Sequence, residues 1–263
     1  GVSLIQASVT SIEFNEDTFF VNIDSKPSNV STGDELRSKI VIGAFGKRSK
    51  LDKYLERPFF LEKSPFLAVK AHYSGEFPSD LVGLHNFKGG YCGISKVEKD
   101  LINICYLTDY RSFKKYTDIN QFQEQVLYKN KFLREAFTSL NSEFENPLTI
   151  GQISFSSKSI VENHILMAGD SAGMIHPLAG NGMGMAIRSA FYLSTEILKF
   201  MNGNCTRAEL ERNYSYAWKK QFQSRLQSGH YISGLLKMNR LSDVLMMGIK
   251  LFPGILSLII RQT

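Results

Sequence analysis

The chain has 263 residues, of which 43% are hydrophobic, 12% aromatic and 21% charged. This is the composition of a globular protein with a sizeable core, and it excludes a disordered, collagen-like or disulfide-stapled chain. The 31 Lys and Arg against 25 Asp and Glu leave a net charge of +6. No basic stripe with interleaved aromatic residues occurs, so a nucleic acid is not expected as a partner.

The first half of the chain predicts mainly strands. Residues 8–14 and 18–23 are two short runs joined by a polar turn, and residues 39–44 are a compact apolar run of the kind that forms a buried strand. Residues 66–73 and 100–107 alternate between apolar and polar side chains. That alternation indicates half-buried antiparallel strands.

The second half predicts mainly helices. Residues 119–140 carry apolar side chains at helical spacing, residues 164–168 form a strand, and residues 183–201 form a second helix. We expect the chain beyond this helix to be mostly helical. The side chains expected on the apolar face of the second helix are Met183, Ile187, Ala190, Ser194 and Leu198.

The cysteines and the last apolar stretch bear on where the protein acts. The cysteines are an odd number without a CxxC pair, which favours a reducing compartment, and the histidines show no zinc-ligand spacing, so no metal is predicted. No signal peptide opens the chain, and a cytoplasmic location is expected. Residues 244–260 are apolar but include Lys250 and Pro253. We expect short helices packed on the body there, with peripheral contact at the inner face of a membrane as the alternative.

The segment of residues 165–185 carries the strongest chemical signal. A predicted buried strand delivers Asp170 at its carboxyl end, and Gly180, Gly182 and Gly184 then precede a helix. Such an Asp can accept hydrogen bonds from ligand hydroxyls, and the start of a helix offers free N–H groups to an electron-rich atom. The same residues could instead cap a turn and permit close packing. Their spacing matches neither GxGxxG nor GxxxxGK[ST].

This segment resembles the second flavin motif of FAD-dependent oxidoreductases with the p-hydroxybenzoate hydroxylase architecture. The matching features are a strand, the sequence GDSAG, a proline, and the sequence GNGMGMA at the start of a helix. The superfamily includes aromatic hydroxylases, geranylgeranyl reductases and flavin-dependent halogenases. The resemblance implies that Asp170 binds the ribityl chain of FAD and that the helix start faces the pyrimidine edge of the isoalloxazine. The FAD-binding residues that it implies are Gly43, Gly169, Asp170, Pro177, Gly180, Asn181, Gly182 and Met183.

Two further elements characterise the superfamily. Residues 40–49 are similar to its strand that ends in GADG and is followed by a serine, but Phe45 stands where that motif has Asp. In the hydroxylases this Asp belongs to a segment implicated in binding FAD and NAD(P)H, so the departure puts direct nicotinamide use of that kind in doubt. The third element, GxGxxG, does not occur in these residues. We therefore expect that the N-terminal part of the FAD domain is missing, with a natural short homologue as the alternative.

The expected fold is α/β (α+β). It consists of a partial, discontinuous Rossmann-like FAD-binding domain with an inserted mixed-sheet substrate domain and C-terminal helices. The expected boundaries are residues 1–53 with 147–202 for the FAD domain, 54–146 for the substrate domain and 203–263 for the helical region.

The resemblance implies an FAD-dependent oxidoreductase that acts on a hydrophobic or aromatic small molecule, with NAD(P)H or another reductant as electron donor. Alkene reduction, hydroxylation and halogenation stay open. His176, Tyr91 and Cys92 are the candidate proton donors, although the structural role is the stronger expectation for each. A half-fold or interaction module without bound FAD is the alternative from another class. Neither the substrate nor the oligomeric state follows from the sequence.

Overall fold

The computed structural model describes residues 1–24, 35–62, 65–177 and 181–237. They belong to two compact units. Unit 1 comprises the described residues of Gly1–Glu62 and Phe155–His230, and unit 2 comprises those of Lys63–Ser154 and Tyr231–Ile259. The mixture of helices and sheets confirms the predicted α/β (α+β) class. The functional domain boundaries expected from the sequence stay a prediction.

The strands in the described residues form three sheets. They are β1 (Ser8–Asn15), β2 (Thr18–Asp24), β3 (Glu35–Ser38), β4 (Ile42–Gly43), β5 (Phe66–Ser74), β6 (Val82–Phe87), β7 (Gly90–Lys96), β8 (Ile102–Asp109), β9 (Asn141–Ser142), β10 (Leu148–Ile153), β11 (Val161–Glu162) and β12 (Ile165–Met167). The sheet orders are β1-β2-β3, β10-β5-β8-β7-β6 with β9 beside β5, and β11-β12-β4.

The helices lie mainly in the second half of the chain, as predicted. They are α1 (Lys50–Tyr54), α2 (Tyr110–Phe113), α3 (Ile119–Gln125), α4 (Lys131–Ser139), α5 (Gly182–Met201) and α6 (Arg207–Lys237). Short 3-10 turns occur at Pro58–Phe60, Glu98–Asp100, Leu127–Lys129 and Gly169–Ser171.

Unit 2 is built on the antiparallel sheet. Strand β5 alternates between buried and half-buried residues along its length, which confirms the predicted half-buried strand. Helix residues Phe122 and Leu133 are fully buried and belong to the same apolar cluster as Val69, Ile94 and Ile104 of the sheet. The core of unit 2 therefore lies between one face of the sheet and the helices that follow β8.

Unit 1 positions the candidate site through a parallel pair of strands. β4 and β12 pair in register, with Leu166 opposite Ile42 and Met167 opposite Gly43. Because the strands are parallel, their carboxyl ends meet at one edge of the sheet. The predicted strand over residues 39–44 is shorter than expected, since β12 is only three residues long and pairs with only two residues of it.

The predicted helix over residues 119–140 is interrupted. Asn130 ends the continuous run because its side chain accepts hydrogen bonds from the N–H groups of Phe132 and Leu133 and so starts α4 anew. The 3-10 turn Leu127–Lys129 separates α3 from α4. Apolar residues keep their helical spacing across this turn, so the sequence pattern did not reveal the interruption.

The predicted apolar face of α5 is wrong. Every position predicted to be apolar and buried, from Met183 to Leu198, is exposed to solvent, and Met183 is 84% exposed. The side chains that face the core are Met185, Ser189 and Leu193. The helix is rich in apolar residues on both sides, so the helical period alone fits two faces and cannot choose between them.

The apolar tail at residues 244–260 lies outside the described residues. Within the part of the chain that the structure describes, no helix has both the length and the apolarity needed to cross a membrane.

Candidate flavin site

Asp170 lies directly after β12, in the 3-10 turn Gly169–Ser171. We call this segment the Asp170 turn. Gly169 has a φ of +60°, a conformation that side-chain-bearing residues rarely adopt, so glycine is favoured at this position. Helix α5 packs against the turn, because the N–H of Gly169 donates to Ser189 Oγ over 3.0 Å. The turn and α5 therefore pack together through Ser189, about two turns into the helix. The placement of Asp170 beside the start of α5 stays a prediction.

Residues that are distant in sequence hold the backbone of this turn in place. Two of its carbonyl oxygens and that of Met167 at the end of β12 accept hydrogen bonds from buried or part-buried side chains. These bonds run from Tyr214 Oη to the Met167 carbonyl (2.6 Å), from Lys158 Nζ to the Asp170 carbonyl (2.7 Å), and from Arg57 Nη2 to the Ser171 carbonyl (3.0 Å). Ser171 Oγ also donates to the Gly46 carbonyl over 3.2 Å and ties the turn to the loop after β4.

The Asp170 carboxylate is half-buried beside two cations. Burial raises the pKa of this carboxyl group, and the charges of Lys158 and Lys47 lower it. Burial also lowers the pKa of Lys47, while the charge of Asp170 raises it. Burial is the larger effect, so the pKa of the Asp170 carboxyl group lies above its ordinary value, and the two lysines oppose this rise.

The start of α5 offers donors to a ligand. Asn181 is the N-cap residue, but in the described residues its side chain makes no capping hydrogen bond. The first N–H groups of a helix have no partner within the helix, so those of Gly182, Met183 and Gly184 are the groups here that can donate to a ligand. A Cβ at Gly182 would meet only Ile175 Cγ2, at an ordinary 3.8 Å. Gly180 lies outside the described residues.

Gly43 and Phe45 lie on the other strand of the pair. A Cβ at Gly43 would lie 2.5 Å from Met167 Sδ and 2.9 Å from Phe45 Cε1, so this glycine is needed where β4 and β12 pack. Phe45 packs against the apolar core of unit 1. The aromatic ring that replaces the Asp of the superfamily motif is therefore part of the packing in this chain.

His176 and Pro177 follow the Asp170 turn in unit 1. The His176 ring is buried and lies 4.6 Å from the ring of Phe155, centroid to centroid. Pro177 is exposed. Their roles as donor candidate and ring neighbour stay predictions.

Tyr91 and Cys92 lie on β7 in unit 2. Cys92 is fully buried, and burial followed by the neighbouring Cys105 raises the pKa of its thiol. Tyr91 is half-buried and lies opposite Leu107 of β8. Their donor roles also stay predictions, although the raised pKa means that Cys92 holds its proton tightly.

Sequence reasoning missed the side chains that hold the Asp170 turn. Arg57, Lys158, Ser189 and Tyr214 are isolated polar residues with no motif around them. Only for Arg57 does the sequence contain a partial indication, the capping box at α1. Ser49 and Asp52 form a capping box at α1, and the buried Asp52 of that box pairs with Arg57 over 2.8 Å. The capping box can be recognised in the sequence. The burial of Asp52, which is why its carboxylate needs a cation, cannot be recognised there.

The residues present suit FAD. A half-buried carboxylate is an acceptor for ribityl hydroxyls, and an uncapped helix start is a donor for an electron-rich ring edge. Asp170 lies at the carboxyl end of a strand in a parallel pair, which is the usual place for a ligand in an open α/β sheet. Together the fold and the site define a flavin-binding α/β protein.

The family comparison agrees with this class. Residues 6–220 match the model of the family described as "FAD binding domain", so the chain belongs to that family.

Solved flavoproteins share the fold. PqsL of Pseudomonas aeruginosa, a probable FAD-dependent monooxygenase, aligns with a TM-score of 0.63 and 16% identity over 89% of this chain and 65% of its own. A flavoprotein/dehydrogenase of Cytophaga hutchinsonii has a TM-score of 0.71 and 15% identity over 90% of this chain and 57% of its own. A geranylgeranyl bacteriochlorophyll reductase-like protein of Thermoplasma acidophilum also has a TM-score of 0.71, with 15% identity over 90% of this chain and 60% of its own.

A curated relative matches part of the chain. Conditioned medium factor receptor 1 of Dictyostelium discoideum is 27% identical over 139 residues, which are 51% of this chain and 26% of the relative. The chain thus spans about a quarter of that relative and at most 65% of the three solved flavoproteins. The activity, substrate and partners of the whole protein are therefore matters for a proposal.

Proposed function

We propose that the protein is an FAD-dependent oxidoreductase that acts on a hydrophobic or aromatic small molecule. The observation that carries this proposal is the Asp170 turn, because side chains from four other segments hold the turn and the strand before it in place. These side chains are Arg57, Lys158, Ser189 and Tyr214. A turn that only reverses the chain does not need a half-buried carboxylate with two lysines beside it.

FAD, when bound, supplies hydride transfer or oxygen activation. The chain's own residues bind and orient it. The Asp170 carboxylate accepts hydrogen bonds from ribityl hydroxyls, and the first N–H groups of α5 stabilise negative charge at the ring edge. His176 is the donor candidate that unit 1 contributes, because it precedes Pro177 in the stretch that the superfamily motif places beside the ring.

The nature of the substrate rests on unit 2. This unit contains a cavity of about 570 Å³ whose lining includes Phe77, Leu84, Ile94, Phe132 and Leu140. That volume and that apolar lining are typical of sites for small organic ligands. His85 also lines the cavity, and burial lowers its pKa, so it is a neutral polar group within an apolar wall at neutral pH.

Two reactions remain candidates, with NAD(P)H or another reductant as electron donor. Reduction of an alkene is favoured by the likeness to the geranylgeranyl bacteriochlorophyll reductase-like protein, and hydroxylation by the likeness to PqsL. Turnover of polyprenyl lipids should persist without oxygen if the protein is a reductase. Oxygen consumption that depends on a phenol would instead identify a hydroxylase.

Flavin binding is tested by replacing Asp170 in the full-length protein. Asp170→Ala removes the acceptor for the ribityl hydroxyls and should weaken FAD binding roughly tenfold or more in a fluorescence titration. Asp80→Ala is the matched control, because Asp80 is exposed and lies in unit 2. A folded wild-type protein that binds no FAD would favour the non-catalytic half-fold instead.

Gly182→Ala tests the start of α5 independently. The added methyl group meets only Ile175 among the described residues, at 3.8 Å, so the stability of the protein should change little. If the backbone here approaches the flavin ring, the same methyl group should weaken FAD binding. Unchanged FAD affinity in this variant would mean that the ring lies elsewhere.

A further inference from the structure

Two buried cations contact the backbone of the Asp170 turn, and no ligand motif contains them. Arg57 is 1% exposed and Lys158 is 8% exposed. Arg57 donates to the Asp52 carboxylate and to the carbonyls of Ser159 and Ser171, and its Nε lies 3.9 Å from the Glu162 carboxylate, so most of its contacts lie outside the turn. Lys158 is different, because its hydrogen-bond acceptors are the carbonyls of Lys47 and Asp170, which both lie at the candidate site.

Lys158 joins the loops that follow the two parallel strands. Its Nζ donates to the Lys47 carbonyl in the loop after β4 and to the Asp170 carbonyl in the turn after β12, each over 2.7 Å. The ammonium group also lies 4.3 Å from the centre of the Phe59 ring. A group that holds the Asp170 carbonyl fixes the backbone from which the Asp170 carboxylate projects.

Burying a lysine ammonium group costs free energy, so a favourable interaction must offset this cost at Lys158. Burial lowers the pKa of Lys158 to about 8. The charged groups around it are Asp52 and Asp170, which raise this pKa, and Arg57 and Arg48, which lower it. A neutral side chain of the same length would fill the space without that cost.

We infer that Lys158 is a positioning residue for FAD: its ammonium group clamps the loops after β4 and β12 together and holds the Asp170 carboxylate in place and ionised for the ribityl chain. This inference rests on the proposed function. It adds to it a residue that no flavin motif includes and gives FAD binding a dependence on pH.

The clamp is tested first without flavin, in the full-length apoprotein. Lys158→Met replaces the apolar stem of the lysine by one of equal atom count and removes the ammonium donor. Hydrogen exchange should become at least roughly fivefold faster in the peptide that contains the Ala172 and Gly173 amides, which bond to the Gly169 carbonyl. Exchange in β1 should stay unchanged. Equal acceleration throughout unit 1 would show a general structural role and would overturn the inference.

Lys219→Met is the matched control. Lys219 is exposed and lines, together with Lys158, a cavity of about 380 Å³ in unit 1. The described contacts do not join it to the Asp170 turn. This variant should leave exchange in the turn unchanged, and acceleration equal to that of Lys158→Met would contradict the clamp.

The second test is the pH profile of FAD affinity. In the wild type, affinity should fall as the pH rises through about 8, because the Lys158 ammonium loses its proton. Lys158→Arg keeps the charge at all of these pH values and should remove this fall. In Lys158→Met, affinity should be roughly tenfold lower at neutral pH, and its acid limb should shift to higher pH because Asp170 has lost a neighbouring charge.

The outcomes separate the two proposals. Lys47 also has a lowered pKa, and the Lys158→Arg comparison isolates the contribution of Lys158 from it. Identical pH profiles for the wild type, Lys158→Met and Lys158→Arg would overturn the positioning role even if FAD binds. If the wild type binds no FAD, the proposed function fails, and the exchange experiment still decides whether Lys158 clamps the turn.

Discussion

Replacing Arg57 by Met should destabilise unit 1 severely, because the buried Asp52 carboxylate loses the cation that pairs with it. Arg57 Nη1 lies 2.8 Å from Asp52 Oδ1, and the side chains of the pair are 1% and 0% exposed. Arg57 Nη2 also donates to the carbonyls of Ser159 and Ser171 over 2.9 and 3.0 Å. Met matches the apolar stem of arginine but offers no donor to any of these acceptors.

The magnitude follows from what is left unpaired. Breaking a buried ion pair by removing one partner costs about 3–5 kcal/mol, and each carbonyl that loses its donor adds about 1 kcal/mol. The loss of roughly 5 kcal/mol or more is comparable with the whole stability of a typical domain, about 5–15 kcal/mol. Arg37→Met is the control, because the Arg37–Glu35 pair is 70% and 40% exposed and such pairs contribute about 1 kcal/mol at most.

Urea unfolding followed by tryptophan fluorescence measures the effect in the right unit. Trp218 is the single tryptophan of the chain, is 4% exposed and belongs to the core of unit 1. The double variant Arg57→Met/Asp52→Asn should be more stable than Arg57→Met alone, since it no longer buries an unpaired charge. A cost below about 1 kcal/mol for Arg57→Met, or a double variant less stable than the single one, would refute the reasoning.

Three further effects on stability follow from the same region. Tyr214→Phe removes the hydroxyl that donates to the buried Met167 carbonyl and should cost about 1–2 kcal/mol in urea unfolding. Gly173→Ala places a Cβ 2.8 Å from Trp218 Cη2 and should cost about 1–3 kcal/mol, with an altered tryptophan emission maximum. Burial lowers the pKa of Lys158 from its ordinary 10.5 to about 8, so the folded state opposes the charged form of this group. The thermal stability of the apoprotein should therefore rise with pH between about 8 and 10.5 through this group. Lys158→Met should lack that gain, and an equal gain in both proteins would contradict it.

The elements that the sequence predicted well are those whose signal is local. The hairpin of β1 and β2 begins at the predicted residues because an alternating pattern brackets a polar turn. The same holds for β5, and the strand before Asp170 could be placed because a short apolar run ends at a glycine. The order of strand, Asp and glycine-rich helix start likewise predicted a turn after β12 that is followed by α5.

The features that the sequence did not predict depend on contacts across the chain. The buried face of α5 is decided by what packs on it, and a helix with apolar side chains all round leaves that choice open. Lys158 lies 12 residues from Asp170 in sequence, and Arg57 lies 114 residues from Ser171. No periodic pattern marks a cation that becomes buried because the carbonyl groups of a distant turn need donors.

A structure of the full-length protein with FAD tests the central claim most directly. The account predicts that an Asp170 carboxylate oxygen lies about 2.6–3.0 Å from a ribityl hydroxyl. It also predicts that the first turn of α5 faces the pyrimidine edge of the ring and that Lys158 still bridges the carbonyls of Lys47 and Asp170. FAD bound with Asp170 out of contact, or a folded full-length protein that retains no FAD at all, would contradict it.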